Sequence, residues 1–206
     1  MKITLRSDSV HIEGYVNAVG RDSRRLRDEY GCEFVEQIQP GTFALALSKS
    51  TEPIKILHNH KEEREIGSTE TNLELTEDSI GLFASAEITD SEVIEKAREN
   101  KLVGWSFGFI PLDSRVTYDY DNHLERHIIT ELDLKEVSII DDTMLPCYAG
   151  TSVHSRAEMA IRAMDSDVIR TIEIKDEQPR ADSIEEPNNH IDYSRYHETI
   201  KKLKGE

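Results

Sequence analysis

Val103-Gly104-Trp105-Ser106-Phe107-Gly108-Phe109 sets one hydroxyl among aromatics and glycines, in a run whose composition reads as a β-strand. Taken alone, Ser106 is a small residue spacing core aromatics. Two further apolar runs change that reading: Ile54-Lys55-Ile56-Leu57-His58-Asn59-His60 upstream, and Leu132-Asp133-Leu134-Lys135-Glu136-Val137-Ser138-Ile139-Ile140 downstream. Each reads as a strand, so a nucleophile, a base and an orienting carboxylate are available from three separate strands. Those are the components of serine hydrolase chemistry.

Working outward, Ile3 to Val19 is short and β-branched and predicts one or two strands, and Arg21 to Gly31 is a charged loop. Pro40-Gly41-Thr42 introduces Phe43, Ala46 and Leu47 at helical spacing, which predicts a short helix with Thr42 as its N-cap. Strands follow at Leu73 to Thr76 and Leu82 to Ile88. Thr89-Asp90-Ser91-Glu92 has the form of a capping box, and Val93, Ile94, Ala97 and Lys101 continue one helical face toward Ser106. Two more strands, about Trp105 to Val116 and His127 to Ile140, flank a polar hairpin from Tyr118 to Glu125. The expectation is a mainly β, α+β chain built as an antiparallel barrel or sandwich with flanking helices.

A chain of 206 residues can bury one substantial core and carry an appendage. With 41 acidic against 25 basic residues the formal charge is -16, a field that repels nucleic acid and anionic membrane and favours basic partners. Neither nucleic acid nor membrane is an expected partner. Cys32 and Cys147 are too few and too far apart for a disulfide scaffold, which fits a reducing cytoplasm. Composition shifts beyond Val153. Ala157 to Ile174 reads as a further helix, whereas Asp176 to Asn189 is acidic, carries Pro179 and Pro187, and reads as a linker before a short amphipathic segment at Tyr193 to Leu203. The predicted organisation is a domain over 1–155, a helical extension over 156–175 and a flexible acidic tail over 176–206.

Strict alternation along the third strand puts Ile128, Thr130, Leu132, Leu134, Glu136 and Ser138 on one face, opposite Glu131, Asp133 and Lys135. Glu136 then emerges among apolar neighbours, where a carboxylate must be paired. An imidazole is one partner; a structural ion pair with Arg115 or Arg126 is the alternative. Alternation places His58 and His60 on the same face and does not choose between them as base. His58-x-His60 could also open a metal site completed by His123 and His127, but the cysteines lack ligand spacing and the second pair sits in a polar hairpin. No metal is expected.

The ordered set of segments resembles the prohead maturation proteases of tailed bacteriophages, whose fold is similar to the herpesvirus assemblin serine proteases. Gly14-Tyr15-Val16, then Phe34-Val35-Glu36-Gln37-Ile38-Gln39-Pro40-Gly41-Thr42-Phe43, look like the family's opening; His60 with Ile66-Gly67-Ser68, the Ser106-Phe107-Gly108-Phe109 motif, Glu136-Val137-Ser138, and Pro146-x-Tyr148-x-x-Thr151 follow in order. Cys147 departs from the alanine common after that proline and reads as a packing residue. The resemblance implies a barrel ringed by helices and a serine endopeptidase with Ser106 as nucleophile, His60 as base and Glu136 as orienting carboxylate. The herpesvirus proteases use a second histidine in that third place. Phe107, Gly108 and His58 are expected to line the substrate or oxyanion site, with Gly104 and Gly108 admitting close backbone approach. No cofactor is implied. The implied partners are the major capsid protein or a scaffold segment and further copies of the chain itself, through self-cleavage or a homo-oligomer. The implied place of action is the assembling prohead in the host cytoplasm. The competing reading is a non-catalytic capsid assembly module of the same fold.

Overall fold

A computed structural model of the chain describes residues 1–28, 30–121, 123–144, 160–163 and 171–174. Alternating apolar residues form β1 (Lys2–Leu5) and β2 (Val10–Ala18), the latter burying Val10, Ile12, Gly14 and Val16 in turn. There follow β3 (Leu26–Arg27), β4 (Glu33–Ile38), α1 (Thr42–Lys49), β5 (Lys55–His58), β6 (Glu65–Ser68), β7 (Leu73–Glu77), β8 (Gly81–Ile88) and α2 (Ser91–Arg98). The chain then runs through β9 (Leu102–Asp119), β10 (Leu124–Asp141), β11 (Ala160–Ala163) and β12 (Thr171–Ile174).

These strands make two sheets. One has the order β12-β1-β2-β8-β7; the other has β11-β9-β10-β4-β3, with β5 beside β10 and β6 beside β5. The expected closed barrel is not formed: among the described residues no ladder joins the edges of the two sheets. The distal halves of β9 and β10 pair with each other in a long hairpin, and Leu112 to Tyr118 of β9 is exposed there. β10 organises the second sheet. Its first half pairs in parallel with β4, Glu125–Ile129 against Phe34–Ile38, and its second half pairs in parallel with β5, Glu136–Ile139 against Lys55–His58. Strand β9, which carries Ser106, lies on the other side of β10.

Local sequence sets the helices, with corrections at their caps. The N-cap of α1 is Gly41, in left-handed backbone (φ 88°), and Thr42 is the first helical residue. The Thr42 hydroxyl turns instead to the carbonyls of Ile129 and Thr130 on β10. Glu77 of β7 replaces it as cap, its carboxylate accepting from the amides of Gly41 and Ala44 at 2.7 and 2.6 Å. In α2 the cap is Asp90, not Thr89, accepting from Glu92 and Val93 amides at 3.1 Å each.

The core gathers Phe43, Trp105, Phe107 and Phe109 with aliphatic residues of both sheets. Phe107 stacks on Phe109 at 5.2 Å and meets Phe43 edge-on at 5.4 Å. Of the stretch predicted to be helical over 157–174, the described segments are strands: β11 pairs antiparallel with β9, and β12 pairs parallel with β1. An open sheet edge supplies ladder partners that local helical periodicity cannot foresee. The chain divides into two compact units, Met1–Asp176 and Glu177–Glu206, and the second, with the acidic tail, lies outside the described residues. Cys147 and the Pro146 motif lie outside them too.

Candidate active site

The site begins with one of the register shifts in the β9–β10 ladder. Leu134 pairs with Phe109, but Glu136 pairs with Gly108, so one extra residue, Lys135, is accommodated on β10. This bulge reverses the alternation. Leu132 and Leu134 stand opposite Pro111 and Phe109, while beyond the bulge Val137 and Ile139 stand opposite Phe107 and Trp105. Glu136 therefore faces away from the leucines with which strict alternation grouped it. It shares a face with Ser138, and with Gly108 and Ser106 opposite the two of them. The aromatics fill the core face, and the polar residues are collected on the other.

His60 reaches that polar face from β5 by leaving the strand. β5 ends at His58, and Asn59 and His60 both take left-handed backbone, φ 57° and 56°. The turn separates the two histidines that alternation could not tell apart. The His60 imidazole lies between the other two groups, Nδ1 at 2.7 Å from Glu136 Oε1 and Nε2 at 2.7 Å from Ser106 Oγ. A carboxylate only accepts, so neutral His60 carries its proton on Nδ1, donates it to Glu136, and accepts the Ser106 hydroxyl at Nε2. Ser138 Oγ donates to the second Glu136 oxygen at 2.6 Å and accepts the His60 amide at 3.3 Å. The structural ion pair considered for Glu136 is absent: Arg126 binds Asp22 through two 2.7 Å hydrogen bonds, and Arg115 is exposed.

All three groups are sheltered. Ser106 has no exposed surface, Glu136 is 3% exposed, and the His60 side chain is 7% exposed. β11 runs along the outer edge of β9, Ala163 standing opposite Ser106 in the ladder. Low dielectric strengthens the hydrogen bonds of such a group and excludes competing water.

The remaining expected residues divide. Gly108 stands directly opposite Glu136 on the polar face. Phe107 stands on the core face, 1% exposed and packed between Phe43 and Phe109. A β-carbon at Gly104 would meet nothing within 4 Å, so close packing does not explain the glycine there. His58 is buried behind the turn with Asp141, its Nε2 3.2 Å from Asp141 Oδ2 but outside hydrogen-bonding alignment. His123 and His127 are drawn into a different group, lining a cavity of about 440 Å³ with Cys32, Phe34 and Tyr118. His58, Glu92 and Asp141 do approach one another within 4.8 Å. Cations of the protein already stand on both carboxylates, however, Arg64 at 2.8 Å from Glu92 and Lys96 at 3.2 Å from Asp141.

Sequence reasoning passed over Asn59, Ser138 and Asp141. Burial alone would push the Asp141 carboxyl up, but donors from Thr143, Asn59 and Lys96 outweigh it and hold the group well below the usual carboxylate range. Asparagine between two histidines was the one available signal, since it tolerates left-handed backbone better than most residues.

Comparison with known proteins gives the family. The caudovirus prohead serine protease family matches residues 1–166. No curated protein matches the chain. Among solved structures, one titled KSHV protease is similar at 15% identity, covering 65% of this chain and 56% of its own length, with a TM-score of 0.30, a likeness too slight to bear on the fold. The chain thus spans little more than half of that protein. On the family match over most of its length, the chain belongs to the caudovirus prohead serine protease family.

Proposed function

We propose that this chain is a serine endopeptidase that cleaves capsid or scaffold protein inside the maturing prohead, with Ser106 as nucleophile, His60 as general base and Glu136 as orienting carboxylate. The observation that carries the reading is the single imidazole bridging a hydroxyl and a buried carboxylate at 2.7 Å on each side. Ser106 Oγ attacks the scissile carbonyl while its proton passes to His60 Nε2. Glu136 stabilises the imidazolium that forms and keeps the ring turned toward Ser106. His60 then gives the proton to the leaving amine, and a water molecule repeats the sequence in reverse on the acyl-enzyme.

The formal charge of -16 favours basic substrate segments, and the chain itself is a second substrate if its tail is removed in the shell. The enzyme acts within the assembling prohead in the host cytoplasm. Residues 1–155 carry the proposed catalytic groups, and 176–206 serve as an acidic tail. Among the described residues, no helix is long and apolar enough to cross a membrane.

The complete burial of Ser106 favours a second reading, an assembly module of the same fold in which Ser106 is a strand residue. Co-expression with the capsid precursor separates the two. On the protease reading, the mass spectrum contains processed capsid fragments with the wild-type chain and only intact precursor with Ser106→Ala. On the assembly reading, the precursor stays intact with both while the chain still joins the shell.

A further inference from the structure

Asn59 and His60 are consecutive residues with β-carbons in left-handed backbone. Such a pair persists only where its surroundings over-determine it. Here they do. The Asn59 amide and Asp141 exchange two hydrogen bonds, Asn59 Nδ2 donating to Asp141 Oδ1 at 2.9 Å and Asp141 N donating to Asn59 Oδ1 at 3.0 Å. Asn59 N also donates to Ile139 O at 3.0 Å, so the turn is tied to the end of β10 by side chain and main chain together. Asp141 is itself fixed. It is 1% exposed, it accepts from Thr143 N at 2.9 Å and from Thr143 Oγ1, and its other oxygen faces His58 and Lys96, each at 3.2 Å.

We infer that Asn59 and Asp141 are positioning residues for His60: the clamp sets the backbone from which the imidazole reaches Ser106 and Glu136. This rests on the function proposed above. Glycine accepts left-handed backbone with no steric cost, so strain relief alone would favour it at position 59. What asparagine adds is the amide that pairs with Asp141. Relaxing that pair leaves the β5 and β10 strands intact but frees the turn, and a displacement of about 1 Å in a reacting group lowers rate about 100-fold.

The decisive variant is Asn59→Gly, which keeps the backbone permitted and removes only the amide. The probe is an alkyl fluorophosphonate: Ser106 Oγ forms a bond to phosphorus, fluoride leaves, and the hydroxyl proton passes to His60. The inference expects a maximal labelling rate about 100-fold below wild type, an unchanged half-saturating probe concentration, and loss or broadening of the far-downfield proton resonance of His60 Nδ1. Asn59→Asp sets a second carboxylate against Asp141 and should label as slowly. A folded Asn59→Gly protein with wild-type labelling and an unchanged His60 resonance overturns the inference, as does a folded Asn59→Asp protein that labels at the wild-type rate. If wild-type Ser106 does not label at all, the nucleophile assignment fails instead, and the His60 resonance still reads the clamp.

Discussion

Replacing Glu136 by glutamine isolates the charge of the third group from its shape. The carboxylate is buried, 2.7 Å from His60 Nδ1 and 2.6 Å from Ser138 Oγ. When His60 takes the Ser106 proton, imidazolium and carboxylate charges lie about 4 Å apart, worth about 4 kcal/mol at the effective dielectric that suits protein sites. The glutamine carbonyl still accepts from Nδ1, which retains about 1 kcal/mol as a neutral hydrogen bond. The loss is therefore about 3 kcal/mol, or roughly a hundredfold in turnover. Stability should change little. The glutamine amide must donate to Ser138 Oγ where the carboxylate accepted, so the Ser138 hydroxyl proton loses its acceptor, about 1 kcal/mol and about 2–4 °C in melting temperature for a chain of this size. Turnover is read on a capsid-derived peptide by liquid chromatography, with thermal unfolding measured alongside. A folded Glu136→Gln protein with wild-type turnover would refute the reasoning and leave Glu136 a structural residue.

The two histidines should behave differently. His60→Ala removes the bridge between Ser106 and Glu136 and should lower turnover by about four decades or more, whereas His58→Ala should lower stability by about 1–3 kcal/mol through a cavity beside Asp141 and leave the chemistry largely intact; the reverse pattern in turnover would exchange their roles. Asp141 supplies a pH test. Its folded carboxyl lies below the unfolded value, so its contribution is present above about pH 4 and is lost as pH falls further through the folded value; Asp141→Asn should flatten the acid limb of the stability curve, and an unchanged acid limb would count against it.

Much of the fold was legible where the determinants are local. Alternating apolar residues announced β2 and β8, and the spacing of Val93, Ile94 and Ala97 announced α2. Failures came where a distant group decided a local matter. Thr42 has the sequence of a cap, but β10 carbonyls claim its hydroxyl and Glu77, far along the chain, caps α1 instead. β11 and β12 are strands because β9 and β1 offer them edges. The residues left barrel and sandwich open and the resemblance chose the barrel, whereas the described strands form two open sheets. For the site, the sequence showed that serine, histidine and glutamate stand on separate segments, and the structure brings Ser106, His60 and Glu136 together. The burial of Glu136 was anticipated, but from an alternation that the bulge at Lys135 breaks. A bulge leaves no composition signal in a charged, half-exposed stretch. His60 was singled out by resemblance alone, because a two-residue left-handed turn, not strand parity, separates it from His58.

The most direct test of the central claim is to label the chain with a fluorophosphonate and locate the adduct by peptide mass spectrometry. An activated hydroxyl is required for that reaction, and only Ser106 among the described serines shares a hydrogen bond with an imidazole that is itself held by a buried carboxylate. The account predicts one adduct, on Ser106, abolished in Ser106→Ala and reduced to background in His60→Ala. An adduct on another residue, or labelling of Ser106 that persists undiminished in folded His60→Ala, would contradict it.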